Sequence, residues 1–422
     1  MTDLRLILVI VIIFVFGLSM ASVLVSVTRR VGNKRWYEKI DGLRDKFRPV
    51  ITAMITSGSM DSIEQFMNTL KIRAGSHEWV ALEQVLFELN KQGRQKNYTR
   101  MLFDAFAYTE YYRNQLTSQG SSIKLSSAAD KLGRIGGPSA IEPLADLLNY
   151  KKSEVATVAF RALCRIGTND ALHHVLASLP ILLEKRSITI KAMQTSLLLF
   201  EPWAADSFLQ FARTTYHPET LAVILEVLVA FPANREFTEF ALNMISHPDP
   251  EVRAKALRVM ARNGIETGSY DFKVFSLLLN DPVWFVRLQA AKTIGKVKCE
   301  KFIEMLKKLA LDERWQVRDA ATLSLVELGD ASLDTFLELL ETPDRYAKES
   351  ISEEIQRTGF VQNLIEYLGG ADVERKAKAK QILTSMHKVG FSTPLREAME
   401  SGKNRPDISK ELANIIFAES IA

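Results

Sequence analysis

The chain has 422 residues, of which 47% are apolar and 25% are charged, a composition typical of folded proteins that excludes a largely disordered chain. Its length exceeds what one compact core usually holds and favours several domains or an elongated repeat array. The net charge of +4 arises in residues 29–48, which carry eight basic and three acidic side chains, so the rest of the chain is nearly balanced. This balance argues against a nucleic-acid partner.

The N-terminal segment is continuously apolar. No charged residue occurs between Leu6 and Thr28, a stretch that would extend about 34 Å as a helix at roughly 1.5 Å per residue. That length is enough to cross a hydrocarbon core of about 30 Å. A cleavable signal peptide is the alternative, but the apolar run is longer than the roughly 7–15 residues usual there, and the basic residues follow it. We therefore predict a single transmembrane anchor in residues 1–28.

Basic and aromatic residues follow the anchor. Because basic residues beside a span remain on the cytoplasmic side, we expect the N-terminus outside and the rest of the chain in the cytoplasm. Trp36 and Tyr37 suit the lipid headgroup level, and the alternative is that they begin the first core helix. The predicted membrane-interface residues are Arg29, Arg30, Lys34, Arg35, Trp36 and Tyr37.

Residues 29–118 comprise this basic juxtamembrane segment and an irregular helical cap. "SIEQFMNTLKI", "EWVALEQVLFELNKQ" and "YTRMLFDAFAYTEYYRNQL" have the spacing of amphipathic helices. A helical array needs an atypical end that covers its last apolar face, and this segment is placed to provide one. Core packing and a partner-binding patch both remain open for its aromatic residues, which are Tyr98, Phe103, Phe106, Tyr108, Tyr111 and Tyr112.

A repeat of 30–34 residues begins near residue 119. Apolar or small residues recur at offsets 0, +4 and +8, which places them on one helix face, and glycine is common at +12, where it fits a left-handed helix end. A second apolar stretch follows in each unit and predicts a helical hairpin. The starting positions are Lys124, Val155, Ile188, Thr220, Val252, Val286, Val317 and Ala347.

Three units share an acidic residue before a Val-Arg pair: "DPEVR", "DPVWFVR" and "DERWQVR". In the second, we expect Asp281 and Pro282 to start a helix and Gly295 to precede the turn that ends it. Together with the period, these motifs resemble the HEAT repeat family in its short bacterial form. The resemblance implies an all-α, right-handed α-solenoid of about nine helical hairpins in residues 119–400, preceded by one transmembrane helix and followed by a capping helix in 401–422.

Two Trp and two Arg residues stand at matching positions of consecutive units. Trp284 and Trp315 each precede the unit's Val by two residues, and Arg287 and Arg318 each follow it. The favoured interpretation is structural: each Arg bonds the Asp or a turn carbonyl of an adjoining unit, and each Trp seals the same contact. The alternative is that these four residues form a partner-binding surface.

Signatures of chemistry are missing from the sequence. "GRIGGPS" lies at an interhelix turn without a preceding strand, and His77 lacks the second histidine of a helix-borne zinc site. Cys164 and Cys299 are expected to be buried apolar side chains. We therefore predict no enzymatic activity, no cofactor, no metal and no small-molecule substrate.

The layout as a whole resembles bacterial single-span HEAT proteins that accompany membrane glycosyltransferases of exopolysaccharide systems. That resemblance implies a cytoplasmic scaffold anchored in the bacterial inner membrane, which binds a membrane-associated protein partner. It also implies an accessory role in polysaccharide synthesis or export. The alternatives are a lyase-type enzyme on the same fold and a signalling adaptor.

Overall fold

The computed structural model describes residues 2–57, 66, 72–90, 96–117, 120–264, 272–400 and 406–417. Within these residues all regular secondary structure is helical, which confirms the all-α prediction. The chain divides into two compact units, Met1–Ser178 (unit 1) and Leu179–Ala422 (unit 2). The helix predicted over "SIEQFMNTLKI" falls largely outside the described residues.

Unit 1 begins with one very long helix and continues with shorter ones. Its helices are α1 (Thr2–Ser57), α2 (His77–Leu89), α3 (Lys96–Ala105), α4 (Tyr108–Thr117), α5 (Ser122–Ile135), α6 (Ile141–Asp146) and α7 (Ser153–Ile166), with short 3-10 turns at Pro138–Ala140 and Leu147–Asn149. The boundary between the units lies within α8 (Asn169–Glu184).

The two parts of α1 have different surroundings. Every side chain from residue 14 to residue 39 is exposed, whereas an apolar stripe from Ile40 onward is buried against α2. The stripe recurs at helical spacing and consists of Ile40, Phe47, Ile51, Met54 and Ile55. Arg44 and Arg48 both donate to Glu88 of α2. The helix continues without a break through residue 28, the predicted end of the anchor.

The aromatic residues of α3 and α4 mostly form a core. Phe103 and Tyr108 are completely buried, and Phe106 and Tyr112 nearly so. The Tyr108 hydroxyl donates to the Trp79 carbonyl at 2.7 Å, and burial raises the pKa of both tyrosines. The core interpretation therefore holds for these four residues, while Tyr98 and Tyr111 are each 37% exposed.

Unit 2 is a series of helical hairpins. Its helices are α9 (Ile190–Leu197), α10 (Ala205–Thr214), α11 (Pro218–Leu228), α12 (Arg235–Met244), α13 (Pro250–Asn263), α14 (Phe272–Leu279), α15 (Trp284–Val297), α16 (Ile303–Leu309), α17 (Trp315–Leu328), α18 (Leu333–Glu341), α19 (Arg345–Arg357), α20 (Phe360–Tyr367), α21 (Val373–Val389), α22 (Thr393–Glu400) and α23 (Pro406–Phe417). Short 3-10 turns lie at Pro202–Ala204, Glu300–Phe302 and Gly329–Ser332.

The first helices of successive repeats stack on one another. α5 packs on α7 in unit 1, and the series α9, α11, α13, α15, α17, α19 and α21 packs in order in unit 2. Offsets 0, +4 and +8 are all buried in the repeats that start at 155, 252, 286, 317 and 347. The repeat, its period and its buried face are therefore confirmed, and α23 covers the last helices by packing on α21 and α22.

The +12 position ends these helices as predicted. The backbone has a positive φ at Gly136, Gly167, Gly264, Lys298, Gly329 and Gly359. Lys298 adopts this conformation without being glycine, at φ 51° and ψ 47°. The turn is therefore imposed by the hairpin as a whole, and glycine only makes it easier.

Gly295 lies in the last turn of α15 and precedes the left-handed Lys298, as expected. A Cβ atom at this position would stand 2.6 Å from Oε2 of Glu327 and 2.8 Å from Cα of Ser324. Gly133 in α5 is equivalent, with 2.6 Å to Cα of Ala162 in α7. These two glycines therefore allow close approach of neighbouring helices.

Candidate protein-binding surface

The acidic residue of the three Val-Arg motifs occurs in two registers. Asp249 lies three residues before Val252 and caps α13, accepting from the backbone amides of Glu251 at 2.9 Å and Val252 at 3.1 Å. Asp281 lies five residues before Val286, and α15 begins only at Trp284. The expectation that Asp281 and Pro282 start this helix is therefore wrong, because both belong to the turn before it.

Asp281 and Asp312 each lie five residues before the Val of their repeat, which we call the long register, as opposed to the short register of three residues. Each accepts hydrogen bonds from an Arg of the preceding repeat. Arg253 donates to Asp281 through Nε at 2.9 Å and Nη2 at 3.0 Å. One repeat later, Arg287 donates to Asp312 through Nε at 2.8 Å and Nη2 at 3.0 Å. In each case Nη1 donates to a turn carbonyl of its own repeat, that of His247 at 2.9 Å or of Asp281 at 2.8 Å. We call the α15–α17 contact with the Arg287–Asp312 pair the closed junction.

Arg287 has a structural role in the closed junction, as it joins two repeats and is not available to a partner. Only 12% of the Arg287 side chain and 8% of the Asp312 side chain are exposed. Burial would raise the pKa of Asp312, but hydrogen bonds from Arg287 and the Arg314 amide, with the nearby guanidinium charges, hold it below its ordinary value. The hydrogen bond to Asp312 raises the pKa of Arg287. The pair is charged and fastens two repeats together.

The next contact, between α17 and α19, lacks the equivalent pair, and we call it the open junction. Arg318 donates through Nη1 to the Asp312 carbonyl at 2.9 Å, as Arg287 does to Asp281. Among the described residues, no carboxylate lies within ion-pair distance of Arg318. Asp344 is in the short register and caps α19 through the Ala347 amide at 3.0 Å. The Arg318 guanidinium instead lies 5.4 Å from the centre of the Tyr346 ring.

The two tryptophans are not equivalent. Trp284 is partly buried and meets the Phe285 ring edge to face, with 5.9 Å between the ring centres. Trp315 is 61% exposed, so it does not seal a contact between repeats. Two other exposed apolar side chains occupy first helical turns of the following repeats: Tyr346 in α19 at 65% and Val373 in α21 at 81%. We call Trp315, Tyr346 and Val373 the apolar row.

The sequence pattern missed two members of the apolar row for a simple reason. Trp284 and Trp315 attract attention because both precede Val by two residues, whereas Tyr346 precedes Ala347 by one. Val373 opens a repeat whose pattern is weak. A search for any large apolar residue in the first turn of each first helix would have found both.

All six predicted membrane-interface residues lie on the exposed part of α1. Lys34 pairs loosely with Glu38 at 3.9 Å. Trp36 meets the Tyr37 ring edge to face at 4.9 Å and lies 6.5 Å from the His77 ring of α2. By length and composition, α1 is the helix in the described residues that could cross a membrane.

One cleft in unit 1 is lined by charged side chains that form ion pairs. This cleft of about 440 Å³ is lined by Arg44, Glu83, Glu88 and Lys131 among others, and these charges pair with each other or with close neighbours. Within the described parts of the chain, no cluster of three or more His, Cys, Asp or Glu could hold a metal. Cys164 and Cys299 are buried and unpaired, as expected, and burial raises the pKa of Cys164.

Comparisons with known proteins agree with the repeat. The family model for HEAT repeats matches residues 273–356, and the model for PBS lyase HEAT-like repeats matches residues 125–150. No curated protein matches the chain.

Solved structures give only a general likeness. An engineered protein is 18% identical, with 74% of this chain and 99% of that chain covered at a TM-score of 0.35. The karyopherin Kap121p is 13% identical at a TM-score of 0.42, with 84% of this chain and 47% of that chain covered, so the chain spans about half its length. Human deoxyhypusine hydroxylase in complex with glycerol is 16% identical at a TM-score of 0.26, with 74% of this chain and 99% of that chain covered. Such values add nothing on activity or partners.

The two matching family models fall in different units, one on α5 and α6 and the other on a segment that includes the closed and open junctions. Each unit therefore contains a segment similar to a HEAT-type repeat.

Proposed function

We propose that the chain is a scaffold that binds a protein partner through the apolar row and is held at a membrane by α1. The observation that carries the binding role is the exposure of Trp315 and Tyr346, at 61% and 65%, beside the unpaired guanidinium of Arg318. Aromatic residues and Arg are the side chains that most often dominate protein interfaces. A rigid repeat stack can present them with little loss of entropy on binding.

Site-specific photo-crosslinking tests the binding role. A benzophenone amino acid in place of Trp315 or Tyr346 should capture one partner in cells, visible as a defined adduct. The same group in place of Tyr216, which is 93% exposed and also in unit 2, is the matched control. Absence of an adduct at both row positions, or the same adduct at Tyr216, would contradict the proposal.

The proposed membrane tether rests on the surroundings of α1. Its apolar side chains from Phe14 to Val27 are exposed on all sides, and the basic residues Arg29 and Arg30 follow at once. In water so much exposed apolar surface would be unfavourable, whereas in lipid it is the expected arrangement. The basic side then favours the cytoplasm for the remainder of the chain.

Cysteine labelling tests the tether and its direction, because Cys164 and Cys299 are buried. With a membrane-impermeant maleimide, Thr2→Cys should be labelled in intact spheroplasts of a bacterial host. Tyr216→Cys should be labelled only after lysis. The reverse pattern would contradict the orientation, and recovery of the protein in the soluble fraction would contradict the tether.

For the partner, we propose a membrane glycosyltransferase of an exopolysaccharide system, on the basis of the layout alone. Purification of the full chain in mild detergent should then recover such an enzyme in stoichiometric amount. Recovery of a sensor kinase instead would favour the signalling adaptor. The tether would support either role by raising the local concentration of the scaffold near membrane proteins.

A further inference from the structure

We infer that the open junction binds an acidic, apolar segment of the partner: a carboxylate pairs with Arg318, and an adjacent apolar side chain packs on Trp315 and Tyr346. This inference rests on the proposed function and specifies the chemistry of the segment that the surface recognises. It follows from comparing three Arg residues at the same position of consecutive repeats.

The three guanidinium groups share one geometry and differ in one partner. In Arg253 and Arg287, Nη1 donates to a turn carbonyl of the same repeat, and the edge formed by Nε and Nη2 holds a carboxylate. Arg318 makes the same Nη1 bond, to the Asp312 carbonyl at 2.9 Å. No carboxylate of the described residues reaches its Nε–Nη2 edge, which is the edge that binds carboxylates in a bidentate manner.

The sequence position that would supply the third carboxylate is occupied by Thr342. It lies five residues before Ala347, as Asp312 lies five residues before Val317. Its hydroxyl accepts from the amide two residues ahead, that of Asp344 at 3.5 Å, as the Asp312 carboxylate accepts from Arg314 at 2.9 Å. Thr342 thus keeps the turn contact but is too short and uncharged to pair with Arg318.

The surroundings of the free edge indicate what would complete it. Trp315 lies one helical turn before Arg318 on the same face of α17, and the Tyr346 ring centre lies 5.4 Å from the Arg318 guanidinium. Both rings are more than half exposed. A carboxylate with a neighbouring Leu, Ile or Phe would therefore find a charge-assisted pair and an apolar surface together.

The local charge balance favours a single carboxylate over a nucleic acid. Arg345 is paired with Glu349, while Arg314 makes no ion pair among the described residues and is next to Glu313 in the sequence. Few unpaired positive charges therefore remain at the junction, those of Arg318 and Arg314 among them. A phosphate backbone would need several such charges and would meet Glu313 and Asp344 as well.

The first test asks whether Thr342 marks the missing carboxylate position. Thr342→Asp should pair with Arg318 and raise the thermal midpoint of the full-length protein, whereas Thr342→Asn, which has the same size and no charge, should not. The gain should vanish in Thr342→Asp combined with Arg318→Gln. An equal effect of Asp and Asn, or a gain that survives Arg318→Gln, would overturn the equivalence.

The second test measures recognition. Peptides are selected from a randomised displayed library against the full-length protein in nanodiscs, then resynthesised with each Asp and Glu changed to Asn and Gln. We expect a carboxylate beside an aliphatic or aromatic residue in the selected peptides. Binding should weaken about tenfold or more with the amide peptides, with Arg318→Gln and with Thr342→Asp, whose own carboxylate occupies the edge. Thr342→Asn should bind within about twofold of the original protein.

Two results would overturn the inference: a library that yields no carboxylate-dependent peptide, or peptides that bind Thr342→Asp as tightly as the original protein. Photo-crosslinking at Trp315 separates this failure from failure of the proposed function. If Thr342→Asp captures the partner at Trp315 as well as the original protein does, the scaffold function stands and recognition of an acidic segment is refuted. Absence of any captured partner would refute the scaffold itself.

Discussion

The closed and open junctions are neighbours built from almost the same motif. "DPVWFVR" and "DERWQVR" each place an Arg after Val, and in both repeats Nη1 of that Arg bonds a turn carbonyl. Arg287 nevertheless forms an ion pair with Asp312, whereas no carboxylate of the described residues reaches the Nε–Nη2 edge of Arg318. The difference lies in the following repeat, where Asp312 is five residues before Val317 but Asp344 only three before Ala347.

This difference shows that the role of a residue in a repeat is decided by its neighbour in space. Where two more residues separate the acidic residue from the start of its repeat, its carboxylate binds an Arg of the previous repeat and does not cap its own helix. The same two residues bring Trp284 and Trp315 into the first helical turn. A structural contact and a binding surface can thus arise from one motif by a change of register.

The largest expected effect comes from removing the carboxylate of the closed junction. Asp312→Ala would leave Arg287, only 12% of whose side chain is exposed, with a single loose ion pair to Glu313 at 3.9 Å. This loss should cost about 3 kcal/mol of unfolding free energy. Arg318→Ala at the open junction is the matched control and should cost less than about 1 kcal/mol. Urea unfolding of both variants checks the contrast, and equal losses would show that the two junctions do not differ.

Overpacking at offset +4 of α15 should have the next largest effect. Ala290 is completely buried, so Ala290→Phe should destabilise the protein by about 1–3 kcal/mol. Ala377→Phe places the same side chain at an exposed position of α21 and should change little. The thermal midpoints of the two variants give the comparison, and an unchanged midpoint for Ala290→Phe would show that offset +4 is not tightly packed.

Acid should weaken the closed junction specifically. The pKa of Asp312 is lower in the folded state than its ordinary value of 3.8, so its pairing stabilises the protein above that pH. The contribution is lost as the pH falls through the folded value. Urea midpoints of the original protein and Asp312→Asn should therefore differ most near neutral pH and converge below the ordinary carboxyl pKa. A gap that widens on acidification would contradict the assignment.

The smallest effect concerns the ends of the two first helices. Lys298 ends α15 in a left-handed conformation, whereas Gly329 ends α17 at φ 66° and ψ −130°. Lys298→Gly should stabilise the protein by about 1 kcal/mol or less, because it relieves the strain of a side chain there. Gly329→Lys should destabilise it, since only glycine readily adopts that backbone conformation. Differential scanning fluorimetry is sensitive enough to give the sign of both changes.

The sequence predicts the repeat well because burial of one helix face leaves a strong periodic pattern. Val286, Ala290 and Ile294 are buried as expected, and the left-handed turn at Lys298 is predicted by offset even though its residue type gives no indication. These features depend on spacing within one repeat, which the sequence displays directly.

The candidate surface is predicted only in part because it depends on contacts between repeats. Arg287 and Arg318 are indistinguishable within their own motifs, and Trp284 and Trp315 differ in exposure only through their neighbours. Gly295 resembles a helix end in the sequence, although its role is the close approach of α15 to α17. For Arg287 and Gly295 the decisive atom belongs to a residue about 30 positions further along the chain.

The continuity of α1 fixes an angle as well as a distance. Each residue of a helix turns the chain by about 100° and advances it by about 1.5 Å. The number of residues between Val27 and Ile40 therefore sets the angle about the helix axis between the apolar N-terminal part and the stripe that packs on α2. One inserted residue in this exposed stretch would rotate the first repeat by more than a quarter of a circle relative to the apolar part, while a heptad would nearly restore its direction. The direction in which the helices packed on this stripe face is therefore set by the number of residues in a stretch that makes few contacts of its own.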